Sequence, residues 1–158
     1  MTKADPLRTQ LATILDWSDA HTTFDQAVDG VPAGQRGITP PHHPHSVWQL
    51  VEHIRLAQRD ILDFCRRSDY HEKKWPDDYW PAAGQSPSES QWTASIKAFH
   101  ADLDDLKALA LDASLDLFGR IPHGSGQTYF RELLLVADHT SYHVGQIVLV
   151  RRALGIWS

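Results

Sequence analysis

Four stretches of the chain place apolar residues three or four positions apart, the spacing that lays one hydrophobic stripe along an α-helix. The first begins at Asp5-Pro6, an N-cap followed by proline at the first helical position. It continues through Leu7, Leu11, Ile14, Leu15, Phe24 and Val28 to a stop at Gly30 and Pro32. Only His21 interrupts its stripe, so the pattern predicts one helix over 5–29. The second opens on Ser46-Val47-Trp48-Gln49, where the serine and glutamine side chains reach each other's backbone amides. It carries Val47, Leu50, Val51, Ile54, Ala57, Ile61 and Cys65 over 46–67. Ser86-Pro87-Ser88-Glu89 reads as another such box and starts a helix over 87–111 on Trp92, Ile96, Phe99, Leu103, Leu106 and Ala110.

The last helix, 128–154, follows a glycine-containing loop and ends where Gly155 supplies a C-terminal stop. Phe130, Leu133, Leu134, Ala137, Val144 and Val148 form one apolar face, while Leu135, His139, Tyr142, His143, Gln146 and Val150 form a second face without charge. Arg131, Asp138, Ser141 and Arg152 fill the narrow sector left for water, so this helix is expected to be covered on two sides. No strand pattern or internal repeat competes. Four helices of about 20 to 27 residues with short connections predict an all-α four-helix bundle, with 1–158 as a single domain. Segment 68–85 gathers Tyr70, Trp75, Tyr79 and Trp80 among prolines and charged residues, a loop either pinned onto the bundle or lining a pocket mouth.

With 158 residues and 42% of them hydrophobic, the chain is long enough to bury a core without covalent staples, which its single cysteine could not form in any case. Cys65 lies on the apolar stripe of its helix and reads as a core thiol. A net charge of -5, with no basic run interleaved with aromatics, argues against nucleic acid as a partner. No uninterrupted apolar run approaches the ~18 residues of a membrane span, and the opening Met1–Pro6 lacks the apolar centre of a secretory signal. The expectation is a cytoplasmic protein with no membrane partner.

Ten histidines are many for a chain of this size. His139 and His143 are four positions apart, so their rings stack on one helix face and can converge on one ion at ~2.0–2.1 Å per nitrogen. With this many histidines, roughly 0.6 such pairs arise by accident. The informative feature is placement: the pair occupies the uncharged second face of its helix, where an unpartnered polar ring is costly to bury. A third ligand must come from another helix. His53, at the edge of its stripe, is the best placed, with His100 and His21 in reserve. Three neutral imidazoles leave an ion cationic and coordinatively open, an arrangement for catalysis rather than stapling. His42, His43 and His45 fall in a polar loop and read as solvent-exposed spacer, and His71 and His123 are loop residues without an assigned role.

The run His139-Thr-Ser-Tyr-His143-Val-Gly-Gln146, followed by Arg151-Arg152-Ala-Leu154-Gly155, resembles the last helix of the DinB-like family of metal-binding bundles. His53 within Val-Trp-Gln-Leu-Val-Glu-His is similar to that family's second-helix histidine. The likeness extends to Trp17 in the first helix and to Asp-Asp-Tyr-Trp-Pro at 77–81. It implies an up-down-down-up bundle, often a homodimer, with a histidine triad on zinc, nickel or a similar divalent ion. It also implies kinship with thiol-dependent transferases and isomerases that use mycothiol or bacillithiol, and with amide hydrolases. One departure stands out: many relatives carry arginine after the final histidine, where this chain has Val144.

The expected function is therefore a divalent-metal-binding protein acting as a thiol S-transferase on a small-molecule substrate, the ion activating a low-molecular-weight thiol. The alternatives are a hydrolase with a metal-activated water, or a non-catalytic, stress-related metal-binding bundle. Zinc and nickel lead as the ion, with iron, copper and manganese also compatible. Gln146, Tyr142 and His100 are the candidate catalytic residues. No general base declares itself, because Glu132 lies two turns from His139 and Glu52 points away from His53. That gap favours thiol chemistry. A homodimer is expected through the second face of the last helix.

Overall fold

Aspartate, serine and threonine caps set where the helices begin. In the computed structural model, which describes residues 5–157, the chain forms α1 (Pro6–Ile14), α2 (Phe24–Val28), α3 (Val47–Arg66), α4 (Glu89–Leu111) and α5 (Tyr129–Ala153). A short 3-10 turn spans Ala33–Gln35, and an isolated bridge joins Arg120 to Thr128. Among the described residues there are no strands.

The predicted boundaries of α3 and α5 are met within a residue. Ser46 accepts the Gln49 amide at 3.2 Å while Gln49 accepts the Ser46 amide at 3.1 Å, so two orphan donors of the first turn are satisfied together. Gln49 has a second use, donating its side-chain amide to the Pro81 carbonyl at 3.1 Å. Thr128 caps α5, and Gly155 follows it at φ +70, in the left-handed region that suits glycine at a helix end.

Two expectations are corrected. The helix predicted over 5–29 is two helices: α1 stops at Ile14 and α2 starts at Phe24 under its own box, in which Thr23 and Gln26 cap each other. Between them runs Asp16-Trp17-Ser18-Asp19-Ala20-His21-Thr22-Thr23, rich in short polar side chains that compete with helical hydrogen bonding. Trp17 therefore sits in the break, 44% exposed, and not in a first helix. The start of α4 also moves, from 87 to Glu89. Its box is formed by Ser88 and Gln91 rather than by Ser86 and Glu89, and Glu89 is free to pair with the buried Arg36 at 2.6 Å. Ser86 is held outside the helix against Gly37, where a Cβ would come within 2.6 Å of the Gln85 carbonyl, so only glycine fits.

α3 packs against both α4 and α5, α1 lies on α4, and α2 on α5. Leu50, Ile54, Phe99, Leu106, Leu133 and Ile147 fill the space between them. Arg151, buried near the end of α5, donates to the carbonyls of Gln26 and Ala27 and so satisfies the C-terminal end of α2. By length and composition α5 is apolar enough to cross a membrane, which a count of uninterrupted runs does not register. Its apolar side chains Leu133, Val136, Val144 and Ile147 are buried in the shared core. The second face of α5 is only partly covered: His143 and Val150 are buried but Tyr142 is exposed, and Leu134 of the first face and Leu149 are exposed as well, against the expectation of burial on two sides.

Candidate metal centre

His53 comes from the middle of α3, and His139 and His143 from successive turns of α5. The packing of these two helices brings the three rings together, with one nitrogen of each lying within 4.8 Å of the others. The Nε2 atoms of His53 and His139 are 3.1 Å apart. Two nitrogens that each sit ~2.0–2.1 Å from one ion are separated by about this much, between the octahedral and tetrahedral values.

The remaining hydrogen bonds fix which nitrogens are available. His53 donates from Nδ1 to the Tyr79 carbonyl at 3.0 Å, and His143 donates from Nδ1 to Gln146 Oε1 at 2.8 Å. Both acceptors hold the hydrogen on Nδ1, which leaves Nε2 of each ring as a lone pair. The Nε2 lone pair of His53 thus faces His139 Nε2 within hydrogen-bonding distance, and the three-nitrogen set fits a divalent cation. Electrostatics agrees. His53 is 2% exposed and His143 7%, and burial lowers the pKa of both, that of His53 to about 4. Burial lowers His139 to about 3, with its two histidine neighbours adding to the effect. All three are neutral at pH 7, the state in which imidazole ligates a metal.

An aromatic wall surrounds the cluster. The Trp80 ring lies parallel to His53 at 3.7 Å between centroids, and Trp75 meets the same imidazole edge-on at 6.2 Å. On its other side Trp80 stacks with His45 at 4.0 Å, and Tyr142 approaches His143 edge-on at 4.9 Å. Segment 68–85 is accordingly both pinned and lining. His45 is not solvent-exposed spacer, since its Nδ1 is buried without a hydrogen-bond partner.

Of the candidate catalytic residues, Gln146 touches the cluster through His143, and Tyr142 stands beside it, 64% exposed. His100 is elsewhere. It pairs with Asp25 at 2.8 Å and, with His21, lines a cavity of about 410 Å³ at the α1–α2 break that includes none of the three histidines. Glu52 is held by Arg55 and Ser95, and Glu132 by Arg131, so neither carboxylate serves the centre. Val144 is buried in the core. Cys65 is buried as expected, and burial, reinforced by the Glu132 charge, pushes its thiol up to about 12. The contribution that sequence reasoning missed is the Tyr79 carbonyl. The aromatic density of 70–80 was the available signal for the wall, whereas a backbone acceptor leaves no mark on a sequence.

Helical architecture and a largely buried histidine cluster together define a helical protein with a centre suited to a divalent metal ion. A model of the DinB superfamily matches residues 16–147, most of the chain, and the protein belongs to that superfamily. No curated protein and no solved structure matches it.

Proposed function

We propose that His53, His139 and His143 hold a divalent metal ion, zinc or nickel foremost, and that the protein is a metal-dependent enzyme acting on a low-molecular-weight thiol. The observation that carries this reading is the convergence of two imidazoles, their tautomers fixed by Tyr79 and Gln146, on a third, half-buried imidazole, one nitrogen of each within 4.8 Å of the others. When bound, such an ion supplies Lewis acidity, which lowers the pKa of a thiol or water brought to it. The chain's own residues do the rest. The three histidines stay neutral and therefore add no charge to the centre, Tyr79 and Gln146 keep two of them in the ligating tautomer, and Trp80 covers one face of the His53 ring. Sulfur would then form a bond to an electrophilic carbon as that carbon's leaving group departs, the S–H proton passing to solvent.

Thiol transfer is favoured over hydrolysis because a thiol ionises with little help, whereas an attacking water wants a positioned base. Both nearby glutamates are committed to other partners. The up-down-down-up connectivity and single-domain organisation are part of the same reading, supported by α3 packing on both α4 and α5. So is a cytoplasmic homodimer, supported by the exposed Leu134, Tyr142 and Leu149 on α5. The test is turnover of small thiols with an electrophilic acceptor by metal-loaded protein. Activity lost on chelation and restored by zinc or nickel supports the assignment; a loaded protein inert to every thiol and amide tried refutes the enzyme.

A further inference from the structure

Residues 79–81 run back along α3 and are clipped to it on either side of His53. One turn before the histidine, Gln49 donates to the Pro81 carbonyl at 3.1 Å. Two turns after it, about 10 Å along the axis, the buried carboxylate of Asp60 accepts the Tyr79 hydroxyl at 2.6 Å. Between these clips the Tyr79 carbonyl accepts from His53 Nδ1, and Trp80 lies flat on the His53 ring. Tyr79 thus bonds the histidine with its main chain and Asp60 with its side chain.

We propose that Asp60, acting through Tyr79, is a positioning residue for His53. The carboxylate anchors the tyrosine hydroxyl, the anchored residue presents its carbonyl at a fixed place, and that carbonyl sets both the tautomer and the ring plane of His53. The inference rests on the metal-binding reading above. Partners that orient a ligating histidine commonly change metal affinity 10- to 100-fold when lost. Burial, with the hydrogen bond and charge of Asp60 behind it, holds the Tyr79 hydroxyl above its ordinary pKa, so it stays a donor.

The molecule contains its own control. Tyr70 also donates to Asp60, at 3.2 Å to each oxygen, and its hydroxyl lies beside that of Tyr79, but its ring packs on Phe64 and His123 and not on His53. Loss of the Tyr70 hydroxyl should loosen the loop without moving the histidine. Zinc affinity is measured by chelator competition for the full chain, Tyr79→Phe, Tyr70→Phe, Asp60→Ala and the Tyr79→Phe/Asp60→Ala double variant, with thermal melts of the metal-free forms. The relay predicts about tenfold weaker zinc binding for Tyr79→Phe, a change within about twofold for Tyr70→Phe, and a double variant no weaker than Asp60→Ala alone. The visible spectrum of the cobalt-loaded protein should shift in Tyr79→Phe and hold in Tyr70→Phe. Equal losses in the two tyrosine variants, or no loss in either, would overturn the relay while leaving the metal centre intact. Failure of the unaltered chain to take up zinc would instead overturn the metal reading itself.

Discussion

Two of the three imidazoles enter the cluster with one nitrogen already spent, His53 on a carbonyl and His143 on the Gln146 side chain. Gln146→Leu is therefore expected to weaken metal binding about tenfold by releasing His143, whereas Tyr142→Phe, at an exposed ring, should leave metal uptake unchanged; chelator competition distinguishes them. Cys65 makes a second residue-level prediction. Its thiol is raised toward 12 from a reference of 9.0, so it should resist iodoacetamide at pH 8 in the folded protein and react only on unfolding, as read by mass spectrometry. The same shift means that stability is fully present below pH 9 and falls as the pH rises toward 12, where the unfolded thiol ionises first. Cys65→Ala should flatten that fall. At this scale the clustering of His53, His139 and His143 was legible because helical spacing fixes which side chains share a face, and an uncharged face gives such rings a reason. Tyr79 and His45 were not, because their roles depend on how a proline-rich loop folds back on α3.

The helices show where local signals suffice and where they fail. Ser46 is fully buried and its box is closed on both sides, so Ser46→Ala should lower stability by about 1 kcal/mol in denaturant titration. The ends of α3 and α5 could be read from the sequence because cap, stripe and stop agree there. The first predicted helix failed because its apolar positions keep period across 15–23 while the residues between them favour turns and caps. A second box at Thr23 then restarts the chain in a new direction. At α4 two overlapping boxes compete, and the one at Ser88 forms because Glu89 is drawn to Arg36 and Pro87 is buried outside the helix.

Across the whole molecule, the three histidines join α3 to α5 at a place where the core would otherwise hold buried polar rings. An ion bound there ties the two long helices together and stabilises only the folded chain. Free zinc at a hundredfold excess over its dissociation constant should add about 2.7 kcal/mol, seen as a higher melting temperature that chelator reverses and His139→Ala abolishes. The all-helical class, the core and the two-helix origin of the histidine cluster follow from pattern and spacing, while the fifth helix, the aromatic wall and the cavity at the α1–α2 break arise from irregular segments that periodicity does not describe. The most direct test of the central claim is elemental analysis of protein purified without an affinity tag, beside the His143→Ala variant. The account predicts close to one divalent ion per chain in the first and almost none in the second; the same metal content in both would contradict it.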